Sequence, residues 1–230
     1  MFIKNINVNF KYSRIEIVKN WLKNYPKSKK FKIKNILSID SESPEYDVEV
    51  SKYFNNCEKY YIIQSNYDLY KKSIDKLFGR FNFKISYDDI LDFELDPYIS
   101  YDLIIFFKNF NLDENISLFV KKTFELVSKD AIILFITNKN DNFTLDTRSF
   151  FNLNFMSDFE FKENLNIDCK IFNTHISTYL NINELTKKEM LKLTNIKLND
   201  DKIKEFKNYA LKKYGEHVCV QVSLIILSKL

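Results

Sequence analysis

Ile36-Leu37-Ser38-Ile39-Asp40-Ser41-Glu42-Ser43-Pro44 is a short apolar run that ends abruptly on a polar turn. Similar runs recur downstream at Tyr60-Tyr61-Ile62-Ile63, Leu103-Ile104-Ile105-Phe106-Phe107 and Ala131-Ile132-Ile133-Leu134-Phe135-Ile136. Phe81-Asn82-Phe83-Lys84-Ile85 alternates instead. Continuous runs of this kind suit strands buried on both faces, as in a parallel sheet covered by helices. Helical patterns lie between them. Tyr70, Ile74, Leu77 and Phe78 share a face, and Gly79 follows as a stop. Ile116, Phe119, Val120, Thr123, Phe124 and Val127 repeat at helical spacing, which predicts a helix over 113–128 with Asp113 and Glu114 at its positive end. Residues 45–56 alternate at Tyr46, Val48 and Val50, yet Pro44 suits a first helical turn, so this segment is read as helix.

Strand and helix thus alternate over residues 35–138, the rhythm of a doubly wound α/β sheet. Outward from this core, Ile15, Val18 and Leu22 place an N-terminal helix over 11–25. A strand signal sits at 167–173, and a polar, mostly helical stretch spans 180–214, with Ile203, Phe206, Ala210 and Tyr214 on one face. The apolar run Val218 to Leu227 predicts a long last strand. No repeat or low-complexity linker interrupts the chain, so a single domain is expected.

Composition excludes several classes. The 230 residues are 45% apolar and 16% aromatic, far from a solvated, disordered chain. Cys57, Cys169 and Cys219 are too few and too scattered for a disulfide scaffold, which fits a reducing cytoplasm. No apolar run reaches the ~18 residues of a membrane span, and the first ten residues do not read as a signal peptide. The net charge of +4 is mild, and only Arg14, Arg80 and Arg148 are arginines, which argues against a nucleic-acid partner. Glycine numbers only 2, where average usage would give about 16.

An α/β sheet binds ligands at the carboxyl ends of its strands, which here means Asp40–Pro44, Gln64–Asn66, Ser86–Asp89 and Lys108–Phe110. The arrangement resembles a class I S-adenosylmethionine-dependent methyltransferase, and more narrowly the histamine N-methyltransferase group. Residues 36–47 sit where that family has its first strand and glycine-rich loop. Tyr101–Phe107 matches its fourth strand, Ala131–Ile136 its fifth, and Val218–Leu227 its terminal antiparallel strand. The resemblance implies a Rossmann-like sheet of about seven strands, last strand antiparallel, with helices on both faces. It implies a core at 35–138, a helical substrate-side insertion at 174–214 and a terminal strand at 218–228. It further implies S-adenosylmethionine as cofactor, held at Asp40, Ser41, Glu42, Gln64, Asp88, Asp89 and Phe106, and a small amine or hydroxyl acceptor near Tyr12, Lys108 and Phe110.

The departures from that pattern are chemical. Asp40, Glu42 and Pro44 stand where the family has glycine. A backbone without Cβ permits close approach and positive φ; proline has no N–H to donate, and two carboxylates repel the carboxylate of the cofactor while attracting its ammonium or sulfonium. Gln64 stands where an acidic residue would take both ribose hydroxyls, and it can still accept one hydrogen bond and donate another. Asp88 or Asp89 keeps the polar contact to the adenine amine. Two functions follow: a small-molecule methyltransferase, in which catalysis is mainly positioning, or a degenerate relative acting as a binding or scaffold subunit with a protein partner. Other sites are weaker in the sequence. Asp88, Asp89, Asp92, Glu94 and Asp96 match no calcium spacing, His175 and His217 have no partner at metal spacing, and Tyr12, Trp21, Phe110 and Phe150 are candidates for an aromatic pocket or for core.

Overall fold

A computed structural model describes residues 13–80, 82–93, 98–107, 110–111, 115–139, 141–154, 156–194 and 196–229. Helices α1 (Ser13–Asn24) and α2 (Lys27–Lys30) lead into β1 (Asn35–Ile39), α3 (Pro44–Ser51), β2 (Lys59–Gln64), α4 (Tyr67–Leu77), β3 (Phe83–Tyr87) and β4 (Tyr101–Phe106). Then follow α5 (Ile116–Glu125), β5 (Val127–Asn138), α6 (Asn142–Phe151), α7 (Asp158–Glu163) and β6 (Cys169–Asn181). A 3₁₀ turn at Ile182–Glu184, α8 (Lys187–Thr194), α9 (Asp200–Tyr214) and β7 (His217–Lys229) close the fold.

The seven strands form one sheet in the order β3-β2-β1-β4-β5-β7-β6. The first five are mutually parallel. Strand β7 runs antiparallel between β5 and β6, so it is the reversed strand of the sheet. This is the doubly wound sheet expected from the sequence, with its last strand antiparallel.

The uninterrupted apolar runs feed two cores, because successive side chains of a strand point to opposite faces. On one face Ile36, Ile62, Leu103, Ile105 and Leu134 meet Val18 and Leu22 of α1, Tyr46 and Val50 of α3, and Phe206 and Ala210 of α9. On the other face Leu37, Ile63, Ile104, Phe106, Ile133 and Phe135 meet Phe119 and Val120 of α5 and Phe161 of α7. Asp102 ties the amino-terminal end of this sheet together. Its Oδ2 accepts from the backbone N–H of Lys34 (2.9 Å) and Asn35 (3.0 Å), and its Oδ1 from the Ser128 hydroxyl (3.1 Å).

Several boundaries differ from the sequence reading. The helix expected over 113–128 ends at Glu125, because Val127 already pairs with Tyr101; its cap is Asn115, whose side chain accepts from Leu118 N–H, while Asp113 and Glu114 lie outside the described residues. The N-terminal helix is described from Ser13 to Asn24. The segment 45–56 is helical only to Ser51. The strand expected at 167–173 is Cys169–Asn181, so residues 174–181 of the implied helical insertion are strand, and the helical stretch read over 180–214 begins at Ile182. Thr174, Ile176, Thr178 and Leu180 alternate with polar residues there, a strand pattern rich in β-branched side chains. Helices α6 and α7 had no counterpart in the sequence reading.

Phe206 joins α9 to α6. It is fully buried, with ring centroids of Phe143, Phe150 and Phe151 at 5.7, 5.3 and 5.0 Å. Phe206→Ala is expected to cost about 3–5 kcal/mol, the loss of an aromatic side chain from a packed core, read from the urea midpoint at unchanged m-value.

Candidate functional site

The order of the sheet places β1 between β2 and β4, so the loops leaving these strands meet at one end. The chain turns out of β1 at Asp40 with φ 51°, the left-handed region that glycine enters most easily. Aspartate is among the few other residues that adopt it, since its short side chain can bond locally. Here Asp40 Oδ1 accepts from the backbone N–H (2.7 Å) and hydroxyl (2.8 Å) of Ser65, binding the first loop to the second.

Beneath this turn lies a buried polar cluster. Ser41, Asp47 and Gln64 are completely buried, and Tyr60 nearly so. The Ser41 hydroxyl donates to Asp47 Oδ2 (2.6 Å), and the Tyr60 hydroxyl donates to Asp47 Oδ1 (3.1 Å). Gln64 Nε2 donates to both the carbonyl (3.0 Å) and the hydroxyl (2.8 Å) of Ser41. The amide of Gln64 is therefore turned in toward its neighbouring loop, and its Oε1 is buried with no hydrogen-bond partner among the described residues. Burial pushes the Asp47 carboxyl up to about 6, against the hydroxyl donors that favour its charged form.

A second cluster closes the loop from the side of α1. Arg14 is 4% exposed. Its Nη1 donates to Glu42 Oε1 (2.6 Å) and to the carbonyl of Phe107 (3.0 Å), just past β4. The Tyr46 hydroxyl lies 3.5 Å from Glu42 Oε2. One guanidinium thus links the loop after β1 to the loop after β4. Pro44 opens α3 at its first helical position, where a missing N–H leaves no helix bond unmade.

The structure gathers Asp40, Ser41, Glu42 and Gln64 in one place. Asp88 and Asp89 follow β3 at the neighbouring strand end. The N–H of Asp88 donates to the Gln64 carbonyl (3.2 Å), Asp88 Oδ1 accepts from the N–H of Asp89 (2.9 Å), and Asp89 Oδ1 accepts from the N–H of Leu91 (2.9 Å). Both carboxylates thus brace the turn after β3.

Phe106 and Phe110, expected at cofactor and substrate, are core residues. Phe106 stacks on Phe135 at 4.5 Å and 9°, and Phe110 packs edge-on against Phe119 at 5.2 Å. Tyr12 and Lys108 lie outside the described residues. Among the described residues the aromatic candidates have separate neighbours: Trp21 stacks on Tyr25, while Phe150 joins Phe206 and Tyr209. His175 and His217 sit on β6 and β7, three or more strands from β1. Among the described residues no three His, Cys, Asp or Glu side chains gather as a metal site, and no helix is long and apolar enough to cross a membrane. Arg14, Asp47 and Tyr60 were missed as site residues. The only advance signals were the rarity of arginine and an acidic residue in the first turn of a helix opened by Pro44.

No family model matches this sequence, and no curated protein sequence matches it. Solved structures share its fold. YcgJ from Bacillus subtilis aligns with a TM-score of 0.64 over 93% of this chain and 98% of its own, at 10% identity. Coclaurine N-methyltransferase, solved with N-methylheliamine and SAH, gives 0.56 over 93% and 71%, at 17% identity. The plantazolicin methyltransferase BpumL, solved with SAH, gives 0.54 over 96% and 84%, at 15% identity. With its seven-stranded sheet, the chain has the Rossmann-like methyltransferase fold.

At the strand ends the groups that the resemblance assigns to S-adenosylmethionine are partly engaged with one another, while Gln64 Oε1 is buried without a partner among the described residues. Pro44 offers no N–H, the Glu42 carboxylate already holds Arg14, and the donor of Gln64 is spent on Ser41.

Asp47 gives a pH signature. Its folded value of about 6 lies above the ordinary 3.8 of an aspartate, so between these values the folded chain keeps a proton that the unfolded chain has lost. The stabilisation is full below pH ~4 and is lost as pH rises to ~6, by about 3 kcal/mol. Asp47→Asn removes this contribution. The variant is expected to be more stable than wild type at pH 7.5 and to lose that advantage at pH 4, measured by paired urea titrations.

Proposed function

We propose that this chain is a catalytically degenerate member of the methyltransferase fold that works as a binding or scaffold subunit. The observation that carries the reading is the Arg14–Glu42 pair, joined to the Ser41–Asp47–Gln64 cluster. Together these groups fill, with the chain's own side chains, the loop where the sequence resemblance puts the methionyl and ribose parts of S-adenosylmethionine. A cofactor carboxylate would need a cation, and Arg14 already faces the Glu42 carboxylate at 2.6 Å. A ribose diol would need an acceptor pair at the end of β2, and Gln64 is folded away from that task. Admitting a ligand would break the Arg14–Glu42 pair and the two bonds of Gln64 Nε2 to Ser41, at the cost of groups that now have partners.

A second reading has one observation in its favour. The left-handed turn at Asp40 and the pair Asp88–Asp89 are in place at adjoining strand ends. On that reading the chain is a methyltransferase for a small amine or hydroxyl acceptor, in keeping with the resemblance of residues 36–47 to the histamine N-methyltransferase group.

Isothermal titration with S-adenosylmethionine and with S-adenosylhomocysteine separates the two. The degenerate reading expects no binding of either at ~1 mM ligand, a Kd weaker than about −4 kcal/mol of binding free energy. It also expects that Asp40→Gly combined with Glu42→Gly leaves this unchanged, because Pro44 and Gln64 remain. Micromolar binding by wild type, or binding gained by the double variant, would establish an impaired but open cofactor site instead.

A further inference from the structure

We infer that the chain forms a two-fold symmetric dimer in which β6 pairs antiparallel with β6 of a second copy, joining two seven-stranded sheets into one. The inference rests on the far edge of the sheet and is independent of the cofactor question.

Strand β6 is 13 residues long and lies at the end of the sheet. Its inner side pairs with β7 in unbroken register from Cys169–Lys229 to Asn181–His217. Among the described residues no strand pairs with its outer side. Exposed edges of this kind are templates for further pairing, and folded proteins usually guard them with short strands, lysine, proline or bulges. The opposite edge, β3, is guarded in this way: it has five residues and an exposed Lys84 at its second position. The β6 edge is long, and its one lysine, Lys170, sits at its first end, where full overlap sets it opposite the partner's Leu180. From Ile171 to Asn181 it holds no Lys, Arg, Asp, Glu or Pro, and its register shows no bulge. It also leaves Ile171, Phe172 and Tyr179 exposed at 40%, 60% and 45%.

Symmetry selects a second copy as the occupant. When a strand pairs antiparallel with itself, opposed residues must present their backbone groups the same way, so the two-fold axis passes through a residue. Full overlap of Cys169–Asn181 puts that axis at His175. Ile171 then faces the partner's Tyr179, and Tyr179 faces the partner's Ile171, so the exposed apolar side chains cover each other twice. Phe172 lies over the partner's Thr178. The two copies of His175 meet on the axis, where no formally charged side chain of the 171–181 segment opposes its like. Cross-strand contacts of this type stabilise pairing, and like charges placed directly opposite disrupt it. Strand addition at an open edge supplies the backbone hydrogen bonds.

Sedimentation velocity of the full chain over roughly 1–100 μM is expected to give a species of twice the 27.6 kDa chain mass. Ile171→Lys with Tyr179→Lys sets lysine against lysine twice, and is expected to weaken the dimer at least about tenfold. Ile171→Lys with Tyr179→Glu sets lysine against glutamate at the same two places and is expected to restore it. Both substituted positions are exposed, and circular dichroism checks that each variant folds. As a reading on the wild type alone, amide hydrogen exchange in 169–181 should slow as concentration rises. A wild-type monomer across the range overturns the proposal, as do equal dimerisation of the two variants and exchange that ignores concentration.

Discussion

The structure turns on the meeting of β1 and β4. From β1 the chain winds outward through β2 to β3, and it then returns to the other flank of β1 to begin β4. The two strands bond along their length, and the ladder continues one step beyond, where the N–H of Phe107 donates to the Ile39 carbonyl at 3.0 Å. Two loops are thereby forced to leave the sheet side by side. Polar backbone at such a crossing has to find partners, and Arg14 supplies them from α1 by holding the Phe107 carbonyl and the Glu42 carboxylate together. The N-terminal helix is thus pinned to the sheet by chemistry as well as by Val18 and Leu22.

That crossing explains how a chain with two glycines keeps a turn that glycine would make easily. Asp40 takes the left-handed conformation and uses its carboxylate to hold the next loop. Ser41 and Gln64 bond to each other, and Asp47 accepts from below. Side-chain hydrogen bonds hold this loop where a glycine loop would rely on open backbone.

The strands of the core were legible because burial on both faces leaves an uninterrupted apolar run. Leu103–Phe107 and Ala131–Ile136 announce themselves in this way, and Ile36–Ile39 does so but for the buried Ser38. Helix α6 did not, because its buried face is Phe143, Thr144 and Thr147, too polar to stand out as a stripe. Its signals were local ones: Asp141 capping Thr144 and a left-handed Asn152 at its end. The same holds for α7, where Ser157 and Glu160 form a capping box that sequence alone spells out. At the site, the sequence located the loop and the odd residues in it. What it did not contain was pairing across distance. Arg14 and Glu42 are 28 positions apart, and Ser41 and Gln64 are 23 apart, so only the sheet order reveals them as neighbours.

The placement of β7 bears on how the protein is made. Strands β5 and β6 never touch as neighbours; β7, the last element described, lies between them and contributes Leu224 to one core and Ile225 and Leu227 to the other. During synthesis β5 therefore carries a bare inner ladder until residues 217–229 leave the ribosome. Contacts that join distant parts of a chain form late, and unpaired strand edges invite wrong partners while they wait. Nascent chains halted before residue 217 should for that reason be the species that most needs a chaperone, although most of the sheet is already encoded in them.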